Sequence, residues 1–195
     1  MKKPLKYLLA SAIVLVLGGA IGYGSGVWAY DFVYESASLK NGPWFTNLTI
    51  GSEEAGIYTR AAVAEHGLFA LAQSEAVYYT AYADEDGQPL RGGCDYRIEG
   101  KDLDARWWSI TVYGEDDFLI PNDENRYSYN GKNVTYDAGG RYTIHLSRTA
   151  KEGDWLPAGN EEKLSLWLRL YNLGPAFYES ASTVELPRIV REGCK

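Results

Sequence analysis

The sequence predicts a mainly β protein: a jelly-roll-like antiparallel β-sandwich with one N-terminal amphipathic helix, preceded by a transmembrane helix. The 195 residues contain many short runs in which apolar and polar side chains alternate, as they do in half-buried strands. Aromatic residues make up 14% of the chain, led by 16 tyrosines, and aromatic side chains favour strands. One long stretch near the N-terminus carries no charge, which predicts the transmembrane helix.

The uncharged stretch covers residues 7–30, and about 20 apolar residues are enough for a helix to cross a bilayer. It follows three positively charged residues, Lys2, Lys3 and Lys6. Positive charge favours the cytoplasmic side, so we expect a single-pass protein of the inner (cytoplasmic) membrane with a periplasmic or extracytoplasmic C-terminal domain. A signal peptide cleaved at Ala29 is the alternative, and it would deliver the domain to the same compartment.

The expected organisation has three parts. Residues 1–30 form a lysine-rich cytoplasmic tip and the transmembrane anchor, residues 31–50 a linker, and residues 51–195 the β-sandwich domain. The chain has a formal charge of −7, and the part after the anchor is more negative still because three lysines precede the anchor. Such a domain repels phosphate backbones, so we expect contact with a membrane through the helix and no binding to nucleic acid.

Cys94 and Cys194 are the two cysteines of the chain. An even number of cysteines in an oxidising compartment predicts a disulfide, although two free thiols remain an alternative. The chain also has two histidines, and these four residues lack the spacing of a zinc site. Acidic turns could hold calcium, but none matches the twelve-residue calcium loop. We therefore expect no metal and no cofactor.

The elements of the domain follow from local patterns. Ser52 is a candidate N-cap for an amphipathic helix over residues 53–73. The rest is predicted as short strands separated by turn sequences such as Asp84-Glu85-Asp86-Gly87. The predicted strands are 76–83, 95–99, 106–113, 117–120, 126–129, 140–147, 164–171 and 185–190.

Three of these strands, 106–113, 140–147 and 164–171, have one aliphatic side and one mixed side, because successive side chains point to opposite faces. The aliphatic sides are expected to form the core. If the three strands are neighbours, the mixed sides combine into a surface that can stack on rings and donate hydrogen bonds, as a sugar-like ligand requires. The alternative is a solvated outer face, or one covered by the 53–73 helix. The predicted ligand-binding residues are Trp107, Thr111, His145, Trp167 and Arg169.

Two segments, 96–130 and 141–172, resemble the family called domain of unknown function 1214. The most specific motifs are Trp-Trp-Ser-Ile-Thr-Val-Tyr from residue 107, Asn-Arg-Tyr-Ser from 125, Trp-Leu-Pro-Ala from 155 and Leu-Arg-Leu-Tyr from 168. The usual proline after Trp-Leu-Pro-Ala is replaced by Gly159. The resemblance implies a β-sandwich in the cell envelope, often preceded by a second domain called domain of unknown function 1254. It also implies a possible separately encoded partner domain, because an anchor takes that place here.

Catalytic motifs are weak. There is no nucleophile elbow, no His-Glu-x-x-His and no phosphate-binding glycine loop. His145 with a carboxylate could serve as acid and base. Asp102, Asp104 and Glu115 could separately supply the two carboxylates of a glycosidase, although the sequence does not give their separation. We therefore expect an envelope module that binds a polar ligand or a partner protein. The alternatives are a hydrolase of an envelope polymer or small ester, and a structural accessory to the separately encoded partner.

Overall fold

A long N-terminal helix, α1 (Lys3–Ser36), opens the computed structural model, which describes residues 3–36, 38–65 and 70–194. Its Leu5–Ala29 portion has a mean hydropathy of 1.9 and is 25 residues long. At 1.5 Å per residue this is roughly 37 Å, which exceeds the hydrocarbon core of a bilayer. None of that portion is buried by the rest of the chain. The helix is therefore long and apolar enough to span a membrane, a property that signal sequences share.

The remainder is mainly β, as predicted, and forms two packed sheets. The strands are β1 (Leu39–Asn41), β2 (Trp44–Thr46), β3 (Ala76–Ala81), β4 (Cys94–Lys101), β5 (Ala105–Tyr113), β6 (Ser128–Asn130), β7 (Arg141–Ser147), β8 (Asp154–Pro157), β9 (Ser165–Leu173) and β10 (Arg188–Cys194). Two short helices, α2 (Ile57–Glu65) and α3 (Pro175–Ser180), accompany them. The six-stranded sheet has the order β1-β2-β3-β9-β5-β6, and the four-stranded sheet has the order β10-β4-β7-β8.

The apolar sides of the two sheets, which include aromatic as well as aliphatic residues, pack against each other and form one core. From the six-stranded sheet, Trp108, Ile110 and Val112 are at most 1% exposed, and from the four-stranded sheet Ile144 and Leu146 are fully buried. Burying each such side chain contributes about 1.5–3 kcal/mol. The prediction that these alternating residues form the core is confirmed, and so is the mainly β sandwich architecture.

The expected linker 31–50 is wrong over much of its length, because α1 extends into it and β1 and β2 form a hairpin at the edge of the six-stranded sheet. Gly42 occupies the turn of this hairpin with a φ of 59°, a conformation that glycine adopts without strain. Trp44 is 1% exposed, and its indole nitrogen donates a hydrogen bond of 2.7 Å to the carbonyl of Pro187. The sandwich therefore begins before residue 51.

The predicted helix 53–73 is too long. Its described helical part is α2, residues 57–65, while residues 66–69 lie outside the described part of the chain. Residues 117–120 form a turn with one isolated bridge in place of the expected strand. Strand β8 was not predicted, and it pairs with β7 in the parallel direction, so the four-stranded sheet is mixed where a fully antiparallel sandwich was expected.

The predicted disulfide between Cys94 and Cys194 is confirmed, with the two Cα atoms 3.9 Å apart. The cysteines lie opposite each other at the paired ends of β4 and β10. The bond closes a loop with a sequence separation of 100 residues and attaches the last strand to the sandwich.

Candidate functional site

The outer side of the six-stranded sheet brings together most of the predicted ligand-binding residues. Strands β5 and β9 are antiparallel neighbours, and their register places Thr111 opposite Trp167 and Trp107 opposite Tyr171. Arg169 lies between these two pairs, opposite Ser109. Since the alternate side chains of these strands form the core, these residues point away from it. We call this surface the aromatic face, defined by Trp107, Thr111, Tyr113, Trp167, Arg169 and Tyr171.

Arg169 occupies the centre of the aromatic face. Its Nη2 donates a hydrogen bond of 2.9 Å to the Tyr113 hydroxyl. The guanidinium carbon lies 5.4 Å from the ring centroids of both Tyr113 and Trp167, which is close enough for cation–π attraction. Among the described residues, Tyr113 is the hydrogen-bond partner of this guanidinium, and no carboxylate lies within ion-pair distance of it. A guanidinium carries five N–H donors, so several remain for another acceptor.

Two aromatic rings form a platform beside Arg169. The rings of Trp107 and Tyr171 meet edge to face with their centroids 5.3 Å apart. Trp107 is 36% exposed, whereas Tyr171 is half-buried. Burial raises the pKa of the Tyr171 hydroxyl, with a further contribution from Tyr78 and opposition from Arg169. The hydroxyl is therefore neutral at physiological pH and can both donate and accept a hydrogen bond.

The floor of the aromatic face is closed. Trp167 and Thr111 are 4% and 7% exposed, and the indole nitrogen of Trp167 donates to the Ser165 hydroxyl at 3.2 Å. Because these two side chains point away from the core, their low exposure means that neighbouring side chains on the same side, among them Arg169 and Tyr113 beside Trp167, cover them. The groups that remain accessible to a ligand are those of Trp107 and Arg169 together with the two tyrosines.

Helix α2 covers one margin of this side of the sheet. Val63 of α2 packs with Ile50 against a small cluster that includes Tyr78 and reaches Tyr171. The contacts of this cluster therefore extend from β3 to β9, because Tyr171 belongs to the aromatic face. Helix α2 therefore covers part of the mixed side, and Trp167, Thr111 and Ser109 on that side are also at most 7% exposed.

The expectation that three strands share one sheet is wrong for the strand carrying His145. That residue is on β7, in the four-stranded sheet, where Arg97 and Trp155 are its neighbours in register. Since Ile144 and Leu146 on either side point into the core, His145 points to the opposite outer surface of the sandwich. Its Nδ1 is buried and has no hydrogen-bond partner among the described residues. The aromatic face therefore contains four of the five predicted residues.

Two of the candidate carboxylates, Asp102 and Glu115, are engaged by side chains of the domain. Asp102 accepts hydrogen bonds from the Trp108 indole at 2.8 Å and from the Tyr136 hydroxyl at 3.1 Å. Burial and Asp102 together raise the pKa of Tyr136 to about 12. Glu115 forms an ion pair with Lys163. Across residues 3–36, 38–65 and 70–194, no group of three or more His, Cys, Asp or Glu side chains could hold a metal ion.

Sequence reasoning left Tyr113 and Tyr171 out of the predicted site, although both follow the same alternation as the residues it chose. Including every aromatic residue on the mixed sides would have found them. Tyr78 of β3 lies opposite Arg169 on the other side of β9. The sequence near Tyr78 does not show that β3 pairs with β9, so this neighbour could not be predicted.

Comparison with known proteins identifies relatives but no activity. A family described as Protein of unknown function (DUF1214) matches residues 75–175. The crystal structure of the VPA0106 protein from Vibrio parahaemolyticus is similar, with 27% identity and a TM-score of 0.57 over 71% of this chain. A putative uncharacterized protein from Burkholderia cenocepacia has 19% identity and a TM-score of 0.40, over 60% of this chain and 29% of its own. None of the curated proteins matches the chain. The chain spans about a third (36%) of the length of the Vibrio protein.

Proposed function

This chain belongs to the DUF1214 family, whose description assigns no activity, and from its own surface chemistry we propose that it is an envelope module that binds a polar, sugar-like ligand on the aromatic face. The observation that carries this proposal is the position of Arg169 between the rings of Tyr113 and Trp167, with spare donors beside the exposed Trp107.

A saccharide matches this surface in two ways. Its apolar C–H face can stack on an exposed indole ring such as that of Trp107, and its hydroxyl groups can accept hydrogen bonds from a guanidinium. Arg169 is held by one hydrogen bond and two ring contacts, so little side-chain freedom is lost when a ligand binds. A carboxylate on the sugar would add a charge-assisted hydrogen bond, which is roughly twice as strong as a neutral one.

The proposed setting is the outer side of the cytoplasmic membrane, with α1 as a single-pass anchor. Three lysines before the apolar stretch support a cytoplasmic N-terminus. The disulfide supports an oxidising compartment for the domain, because such bonds are rare in the cytosol. A domain placed there meets envelope saccharides, which is the ligand class that the aromatic face suits.

The test is a thermal-shift screen of the full chain in detergent against soluble neutral and uronic-acid oligosaccharides. Binding to the folded state raises its stability by about 2.7 kcal/mol when the ligand concentration is 100 times the dissociation constant. We expect at least one saccharide to raise the melting temperature of the wild type and not that of Arg169→Ala.

The matched control is Arg141→Ala, which removes an exposed arginine on β7 of the other sheet. This variant should respond to the saccharide like the wild type. The Arg169→Ala domain should remain folded, because each of the two ring contacts that the substitution removes is worth only about 0.5–1 kcal/mol and Arg169 is partly exposed. A screen in which no saccharide shifts the wild type, or in which Arg169→Ala responds equally, would overturn the proposed function.

A further inference from the structure

A second concave site lies at the end of the sandwich where the disulfide joins β4 to β10. It is a cavity of about 420 Å³ that is open to solvent, and its lining includes Cys94, Cys194 and three arginines, Arg91, Arg148 and Arg191. Cavities of this size accommodate small organic ligands. Three arginines around one cavity are notable in a chain whose formal charge is −7. We call this site the arginine cleft.

Arg191 is fixed by three groups. Its Nε lies 2.7 Å from a carboxylate oxygen of the buried Asp84, and its Nη2 donates at 2.7 Å to the carbonyl of Pro89. The guanidinium also lies 5.5 Å from the ring centroid of Tyr96. Asp84 neutralises this arginine, so Arg191 shapes the wall of the cleft more than it adds charge to it.

Arg148 and Arg91 supply the accessible charge, and both are exposed. The Nε of Arg148 donates at 3.0 Å to the carbonyl of Gly159, which orients the guanidinium and leaves its two terminal nitrogens available. The backbone nitrogen of Arg91 donates at 2.9 Å to the Tyr96 hydroxyl. Neither guanidinium lies within ion-pair distance of a carboxylate among the described residues.

Close backbone contact at Gly92, the residue after Arg91, holds the 91–94 turn against Glu161, whose backbone carbonyl accepts a hydrogen bond from the Gly92 N–H at 3.2 Å. A Cβ on Gly92 would lie 2.4 Å from the carbonyl oxygen of Glu161, so only glycine fits there. Glu161 and Glu162 also line the cleft. The carboxylate of Glu161 lies against Gly114, where a Cβ would come within 3.2 Å of it. Glu115 raises the pKa of Lys163 most, through a hydrogen bond and its charge, and Glu162 adds a smaller contribution.

We propose that the arginine cleft binds a small molecule bearing an oxyanion, held by the terminal nitrogens of Arg91 and Arg148 against the wall formed by Arg191 and the disulfide. Guanidinium groups bind carboxylate and phosphate through paired N–H donors, and this chemistry is common to both anions. The site lies at the end of the sandwich and shares no residue with the aromatic face. It is therefore independent of the proposed saccharide binding.

The test is calorimetric titration of the full chain in detergent with citrate and, separately, with inorganic phosphate, at constant ionic strength set with sodium chloride. We expect one of the two to bind the wild type, which distinguishes a carboxylate ligand from a phosphate ligand. Arg91→Gln and Arg148→Gln should each weaken the binding by about tenfold or more, since a hydrogen bond to a charged group contributes about 1.5–3 kcal/mol.

The matched control is Arg141→Gln, at an exposed arginine outside the cleft, which should bind the anion as tightly as the wild type. Arg169→Ala should also bind it normally, so a failure of saccharide binding and a failure of anion binding remain distinguishable. Unchanged melting temperatures without ligand would show that the cleft variants fold. The proposal is overturned if neither anion binds the wild type at concentrations of about 10 mM. It is also overturned if the two cleft variants bind the anion with the same dissociation constant as the Arg141→Gln control.

Discussion

A single tyrosine shows how burial in this core couples stability to pH. Tyr79 of β3 is fully buried, and its hydroxyl donates a hydrogen bond of 2.8 Å to the carbonyl of Ala181. Burial raises the pKa of Tyr79 to about 12, compared with an unshifted value of 10.0. Between these two pH values the unfolded chain has lost this proton while the folded chain retains it. The free energy of unfolding therefore falls as pH rises from 10 to 12.

The variant Tyr79→Phe removes this ionisation. We expect a lower free energy of unfolding at pH 8, by about 1–3 kcal/mol, because the buried carbonyl of Ala181 loses its partner. We also expect a shallower decline above pH 10 than in the wild type. Urea unfolding at several pH values measures both effects, with Tyr178→Phe, at an exposed ring of α3, as the matched control. An equally steep decline in Tyr79→Phe would show that Tyr79 does not contribute to it.

Individual elements show how much of the fold was predictable. The strands that became β5, β7 and β9 were predicted because each has one continuous aliphatic side, and that period-two pattern exists only if the strand covers a core. Strands β1 and β2 have three residues each, too few to show an alternation. The four residues of β8 are Asp-Trp-Leu-Pro, and their parallel pairing depends on a distant strand.

The candidate site was predictable to the same extent. Alternation within a strand identifies which side chains share a face, and this correctly grouped Trp107 with Thr111 and Trp167 with Arg169. It does not say which strands are neighbours, because hydrogen bonds between strands join residues far apart in the sequence. The placement of His145 with Arg169 failed for this reason, since β7 pairs with β4 and β8. The arginine cleft was not predicted either, because its lining comes from strand ends and turns that are far apart in the sequence.

At the level of elements, the disulfide stabilises β10 against β4. In the chain-entropy description, closing a loop of 100 residues contributes up to about 4.7 kcal/mol. We expect dithiothreitol to lower the free energy of unfolding of the wild type by a few kcal/mol. The double variant Cys94→Ser, Cys194→Ser should have the lower stability already and should not respond to the reductant. Equal stability of the oxidised wild type and this variant would contradict the assigned role.

For the whole molecule, the distribution of charge and apolar surface determines the expected topology. The window of highest hydropathy within Leu5–Ala29 is not buried by the rest of the chain, and Lys2, Lys3 and Lys6 all precede the uncharged residues 7–30. Alkaline phosphatase fused to the C-terminus should therefore be active, because that enzyme requires export from the cytoplasm to fold. An inactive fusion produced at full length would contradict the proposed location of the domain. Cleavage near Ala29 would convert the anchor into a signal sequence without changing the compartment.

The central claim is that the aromatic face binds a sugar-like ligand through Arg169. The most direct measurement is a tryptophan-fluorescence titration of the full chain in detergent with the saccharide that gives the largest thermal shift, because Trp107 lies exposed in the face. We predict a saturable change in the wild type and in Arg141→Ala, and a dissociation constant at least about tenfold weaker in Arg169→Ala, since a hydrogen bond to a charged donor contributes about 1.5–3 kcal/mol. The same dissociation constant in a folded Arg169→Ala variant would contradict the claim.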